Sequence, residues 1–245
     1  MLQAVVGRLE EDLTTRERPR VDPRLRRAVD ASVGWYEDLC AMHAVPTTLD
    51  RGVWRCLGRP PPLHSDIVVV EPEVSSEQVT ELVGDRVPYG FKDSFATVDL
   101  SAAGFMILFS ASWIHLEARA APESATSTGW DTIVDARQLS AWNSLHETTE
   151  VLLPALLRHG HFRVLAQYAD QRIVAGAVAR LGSGAVDLSN VFAVPGHHID
   201  WLSLTTAIQA IFPDRPIVGF EHGPALDAAR KAGFVGVGEL RVWVR

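Results

Sequence analysis

Cysteine is nearly absent: the 245-residue chain has two, Cys40 and Cys56, with no CxxC and no metal-type spacing. This excludes a disulfide scaffold and a cysteine-built zinc site, and it predicts a reducing compartment, the cytoplasm. An excess of positive charge is also missing. The formal charge of −7 argues against a protein built mainly to hold nucleic acid. No apolar run has the length of a membrane span. The longest, Gly104 to Leu116, is short and broken by Ser110, Ser112 and His115. The opening MLQAVVGRLEEDL lacks the ordered charged, apolar and small regions of a signal peptide. What is present is a composition 47% hydrophobic, enough for a substantial core, in one large domain or two small ones.

Residues 1–58 read as an N-terminal helical region. Leu2, Val5, Val6, Leu9 and Leu13 share one face, and an Arg-rich connector, TTRERPRVDPRLRR, follows. Asp22 then Pro23 is a start signal, an N-cap followed by proline at the first helical position. From there a helix to about His43 carries Leu25, Val29, Val33, Tyr36, Leu39 and Cys40 at helical spacing, and the helical reading extends to about Leu57. The arginines between Arg16 and Arg27 are either a solvated face or the footprint of an anionic partner, such as a carrier protein or RNA.

The run Arg59-Pro60-Pro61-Pro62 ends the helical texture and opens a β-rich region, 59–120. Asp66 to Glu71 reads as a strand and Ser75 to Val83 as a short helix. Tyr89 to Leu100 and Phe105 to Leu116 read as strands able to pair as neighbours. The small-residue tract Ala118 to Gly129 reads as a linker. Residues 130–245 read as strand, two helices (Ala136 to about His146, Thr149 to Leu157), three strands (Phe162 to Ala169, Arg172 to Arg180, Val186 to Val194), helix, strand, helix, and one or two last strands. That is an α/β plan with an antiparallel middle.

This order resembles the GNAT (N-acetyltransferase) superfamily fold, a mixed sheet flanked by helices. The resemblance rests on DAARKAGF (227–234) followed by GELRVW (238–243), on LSNVFAV (188–194), and on the turn-linked pair VLAQYADQRIVAGAVA (164–179). They look like the closing helix with its Gly-Phe turn and last strand, the central strand, and the second and third strands. Region 59–120 runs strand, helix, two strands, and resembles a second, partial GNAT-like half. The alternative is a β-rich appendage.

The resemblance implies transfer of an acyl group from a pantetheine-type thioester, acetyl-CoA or another acyl-CoA, to the amine of a small molecule. Asn190, Val191, Phe192, Ala193 and Val194 would supply the strand edge for the pantetheine arm. Gly196, His197 and His198 would stand where relatives place an Arg or Gln with Gly-x-Gly or Gly-x-Ala. Those glycines let a pyrophosphate approach the main chain at a helix N-terminus. Here PGHHIDW has one glycine, no arginine, and an aspartate, Asp200, positioned to cap the helix and repel phosphate. Three readings follow: coenzyme A held by altered contacts, an acyl-carrier protein or aminoacyl-tRNA as donor, or a catalytically inactive binding module.

An acyltransferase must make its acceptor amine neutral, which calls for a carboxylate or histidine. Glu221 and His222, at the end of PIVGFE, are the candidate bases; the bland alternative is that Glu221 caps the next helix. Two polar clusters interrupt apolar context in the first half, His64-Ser65-Asp66 and Lys92-Asp93-Ser94. Lys92 and Asp93 are consecutive, so a strand turns one of them inward, where a charge needs a partner or a ligand. They read either as acceptor-pocket residues or as a wet edge. No metal is expected: His197, His198 and Asp200 lack a third well-placed partner geometry, because adjacent histidines seldom chelate one ion.

Overall fold

The computed structural model describes residues 21–83, 90–120 and 129–245. The expectations for Leu2 to Leu13, for Arg16, Arg18 and Arg20, for Tyr89 and for most of the Ala118 to Gly129 tract lie outside them. The first described helix, α1 (Pro23–Met42), starts where capping demands: the Asp22 carboxylate accepts the Arg24 N–H at 2.8 Å, and Pro23 follows. Its buried face carries Ala28, Val29, Ser32, Trp35, Tyr36, Leu39 and Cys40 at turns of the helix.

The helical reading fails beyond Met42. Ala44 takes φ 54°, and Pro46 cannot continue a helix. A hairpin follows, β1 (Thr47–Asp50) and β2 (Val53–Cys56), with Asp50 opposite Val53. Arg51 and Gly52 have φ 47° and 78°, the two positive values of a tight two-residue hairpin turn. Then come β3 (Ile67–Val69), α2 (Ser76–Val83), β4 (Gly90–Asp93) and the long β5 (Met106–Leu116).

The second part runs β6 (Trp130–Thr132), α3 (Ala136–His146), β7 (Phe162–Ala169), β8 (Arg172–Leu181), β9 (Val186–Ala193), α4 (Trp201–Ile211), β10 (Ile217–Glu221), α5 (Gly223–Lys231) and β11 (Val235–Val244). The helix expected over Thr149 to Leu157 is only a 3-10 turn, Pro154–Arg158. Glu147 ends α3 with φ 56°, and Pro154 withholds the N–H a longer helix would use. Asp170 and Gln171, both at positive φ, turn β7 into β8 as the sequence suggests.

The eleven strands of the described residues form one sheet in the order β1-β2-β3-β4-β11-β5-β10-β9-β8-β7-β6. Two parallel pairs stand in it: β3 beside β4, joined through α2, and β9 beside β10, joined through α4. The remaining pairs are antiparallel. Strands β4 and β5 are not neighbours as expected, because β11 lies between them, with Val242 opposite Lys92 and Leu240 opposite Ala111. The last strand of each half thus sits against the other half.

Helices cover both faces. Trp35, Tyr36 and Leu39 of α1 and Trp142 of α3 join Trp54, Trp113, Val178 and Val218 in one core. Leu204 and Ile208 of α4 and Ala229 of α5 join Ile114, Ala177, Leu188 and Ile217 in another. A smaller core under α2 holds Val79, Phe91 and Trp243. Strand alternation divides neighbouring residues between these cores, so both sides of the sheet are dry. Among the described residues no helix is long and apolar enough to cross a membrane.

Candidate functional site

Strands β9 and β10 pair at two positions only, Ile217 with Val186 and Val218 with Asp187. Gly219 still lies close: a Cβ there would stand 2.6 Å from the Leu188 carbonyl oxygen. Beyond it the strands part, and among the described residues the β10-facing edge of β9 has no strand partner. On its other side β9 carries a bulge, where the register shifts between Gly176–Phe192 and Val178–Ser189. Asn190 takes φ 53° within it, a conformation asparagine tolerates better than most residues. A bulge re-aims side chains, and this one turns Ser189 and Asn190 together into a cavity. Replacing Gly219 by alanine should cost about 1–3 kcal/mol by overpacking backbone against backbone. Urea unfolding measures it, and an unchanged midpoint would mean that β10 is free to move away.

The cavity holds about 170 Å³ beneath α1 and includes Ser32, Tyr36, His64, Lys92, Asp187, Asn190 and Phe220 in its walls. Lys92 is 1% exposed. Its Nζ donates to Ser32 Oγ at 2.9 Å and lies 4.1 Å from the Phe220 ring centre, 4.7 Å from Trp113 and 5.6 Å from Tyr36. Burial pushes its amine well below the ordinary lysine range, and Asp187 pulls it partly back. Burial likewise raises the Asp187 carboxyl, while Lys92 and Arg180 oppose the rise.

His64 also borders the cavity, but its ring is spoken for. Nε2 receives the Trp35 indole N–H at 2.9 Å, so Nδ1 carries the proton and donates to the Pro62 carbonyl at 2.9 Å. Burial lowers it to about 4, and it is a neutral wall near pH 7. Alternation sends Asp93 to the opposite face. There its carboxylate accepts the backbone N–H groups of Phe95 (3.2 Å) and Val98 (2.8 Å) and closes a turn. The Ser94 carbonyl accepts the Trp113 indole N–H at 2.8 Å, and its hydroxyl is buried without a partner among the described residues. The structure therefore brings Lys92, His64 and Asn190 together and leaves Asp93 and Ser94 out of the cavity.

Glu221 does not cap α5: its N-cap is His222, with no side-chain cap bond. Phe220 points into the cavity, so its neighbour Glu221 takes the other side of β10. Burial raises its carboxyl to about 7. His222 stacks on Phe109 at 5.4 Å. At the far end of β9, Phe192 lies over Gly176, edge-on to Trp142 and stacked on His146 at 4.6 Å. Val194 donates its N–H to Val174, and Gly196 turns the chain at φ 88°. Asp200 caps α4, its carboxylate accepting the N–H groups of Leu202 (3.1 Å) and Ser203 (3.2 Å). Those are the donors a phosphate would use. His197 borders a separate open groove of about 830 Å³ with Arg137, Tyr168 and Arg172.

Three potential metal ligands, Asp38, His159 and His161, have ligand atoms within 4.8 Å of one another. The Asp38 carboxylate is committed to Arg180 at 2.6 Å, which sets a fixed cation against any ion. Sequence reasoning missed Asp187, Ser32, Tyr36 and Phe220. The signal for Asp187 was there: one carboxylate at an inward position of a strand whose other inward residues are small or apolar.

No protein-family model matches the sequence, and no curated protein matches it. Solved structures do. A GCN5-related N-acetyltransferase from Kribbella flavida is 13% identical, with a TM-score of 0.56 over 89% of this chain and 95% of its own. A putative acetyltransferase of the GNAT family from Novosphingobium aromaticivorans is 14% identical, with a TM-score of 0.55 over 91% and 99%. A conserved protein of unknown function from Staphylococcus epidermidis is 14% identical, with a TM-score of 0.58 over 82% and 94%. At such identities the likeness is one of architecture, and on that ground the chain has a GNAT-like fold over most of its length.

Proposed function

We propose that the protein is an N-acyltransferase that moves an acyl group from a coenzyme A-type thioester to the amine of a small molecule. One observation carries this: β9 and β10 part after two paired positions and open beside a cavity that holds an amine and a carboxylate. The unpaired edge of β9 offers backbone N–H and C=O groups to a pantetheine arm, along Asn190 to Val194. Glu221, raised to about 7, is suited to take a proton near neutral pH from an amine at the mouth of the parting, and His222 stands beside it. The two buried cysteines, Cys40 and Cys56, form no disulfide, which fits a reducing compartment.

The phosphate end works differently from the glycine-rich arrangement. With Asp200 occupying the α4 N-terminus, phosphates fall to side chains, and Arg137, Arg172 and His197 around the wide groove are the candidates, with His198 next in the chain. The carrier-protein and aminoacyl-tRNA donors find less support. Arg24 is paired with Asp22, and Arg26 with Glu71 at 2.7 Å, so these cations serve the fold. The repeated β-α-β unit, β3–α2–β4 and then β9–α4–β10, supports reading 59–120 as a second, partial half. The hairpin β1–β2 belongs with it, because β2 pairs with β3.

Calorimetric titration with acetyl-CoA, free pantetheine and ADP tests the proposal. Saturable acetyl-CoA binding that Arg137→Ala and Arg172→Ala weaken is the expected result. No binding of acetyl-CoA or pantetheine would sink it and leave the inactive module.

A further inference from the structure

Of the chain's 23 basic Lys and Arg residues only two are lysine, Lys92 and Lys231. Lysine differs from arginine in one chemical respect that matters in a closed site: it can lose its proton and become a nucleophile. Lys231 ends an exposed helix, whereas Lys92 is enclosed. A buried amine costs stability, and the apolar neighbours here, Phe220 and Trp113, do not repay it as a carboxylate at hydrogen-bond distance would.

We propose that Lys92 is itself an acyl acceptor, which takes a short acyl group from the thioester and becomes an Nε-acyl-lysine inside the cavity. The inference rests on the acyltransferase reading for its donor, but not for its acceptor. Lys92 shares the cavity with Asn190, at the point where β9 leaves β10. A thioester laid along the β9 edge would present its carbonyl there. The amine attacks that carbonyl; a C–N bond forms, the C–S bond breaks, and its electron pair leaves on sulfur. The proton shed by nitrogen passes to the Asp187 carboxylate and then to the thiolate, so the products are an amide and a free thiol. The amide N–H retains Ser32 as its partner. A cavity of about 170 Å³ admits a two- or three-carbon acyl group and refuses a long chain.

Three titratable groups face the amine: Tyr36 from α1, His64 from the loop before β3, and Asp187 from β9, with Arg180 of β8 behind Asp187. Burial keeps Tyr36 and His64 neutral near pH 7, so the protonation of Lys92 and Asp187 governs the reaction. Acylation should therefore accelerate as pH rises and the amine deprotonates.

The test is peptide mass spectrometry of the full chain after incubation with acetyl-CoA, and separately with N,S-diacetylcysteamine, a thioester with no nucleotide. Lys231 is the internal control. The expected result is an acetyl group on Lys92 at a rate at least ~10-fold above Lys231, since positioning supplies an advantage of that order or more. In urea the two lysines should become alike, and Lys92→Arg should abolish the fast reaction. Modification by diacetylcysteamine alone would support Lys92 as acceptor and count against coenzyme A as donor. Saturable acetyl-CoA binding with Lys92 unmodified by either reagent would overturn this inference and leave the acyltransferase reading intact. Equal rates at Lys92 and Lys231 in the folded protein would overturn it too.

Discussion

Replacing Arg180 by methionine should lower the stability of the protein by about 3 kcal/mol, the low end for breaking a buried ion pair, because Asp38 keeps some contact with water. Arg180 ties β8 to α1, the helix that roofs the cavity. Its Nε reaches Asp38 at 2.6 Å, and Gly34 makes the room: a Cβ there would lie 2.6 Å from the guanidinium. Methionine fills the volume but leaves Asp38 without its partner. It also removes a cation that holds the Asp187 carboxyl down, so Asp187 would rise further. Denaturant unfolding of the variant and of Gly34→Ala measures the tie from both sides. A loss below about 0.5 kcal/mol in Arg180→Met, as for an ordinary surface change, would mean that the pair contributes nothing.

Lys92→Met should change how stability depends on pH. In the folded chain burial holds the amine below its ordinary 10.5. Between that lowered value and 10.5 the unfolded chain keeps a proton that the folded chain has lost. The unfolded state binds more protons there, so the stability of the natural protein rises with pH across that window. Methionine of similar volume removes the titration. On the acid side of the window the variant should be the more stable of the two, because it carries no desolvated ammonium. The gain should shrink as pH approaches 10.5. Asp187 then loses the cation that lowered it, so its carboxyl rises further and holds its proton to a higher pH than in the natural protein. Thermal unfolding at a series of pH values reads the effect. Parallel curves for the two proteins would show that the Lys92 amine titrates like an exposed one.

Local structure was legible where one segment contains its own reasons. Asp22-Pro23 starts α1, and the hairpin of β7 and β8 follows from two alternating runs around Asp170-Gln171. The β1–β2 hairpin escaped because it is short and lies next to a long helical pattern, so that Arg51-Gly52 was its only marker. The placing of β11 between β4 and β5 was beyond reach. Its pairs join residues far apart in sequence, and no periodicity records which distant strand will be a neighbour. The site shows the same limit. Alternation said that Lys92 and Asp93 part company, yet it could not say that both would be buried, one in a cavity and the other tied to backbone N–H groups. The resemblance pointed to Asn190, and a strand end pointed to Glu221; the structure puts Asn190 on the cavity and Glu221 on the other side of β10, and Asp187 needed the opposite wall before its place in the cavity appeared.

The crossing of β5 and β11 has a consequence for how the chain is made. As it leaves the ribosome, β4 and β5 appear early, and β4 has only β3 to lean on until β11 arrives. An unpaired strand edge flanked by Met106, Ile107 and Leu108, all exposed even in the finished fold, is sticky in the meantime. Neither half can close before nearly the whole of the other has been synthesised. The nascent protein therefore waits, with slow long-range pairing as its last step and aggregation as the competing path.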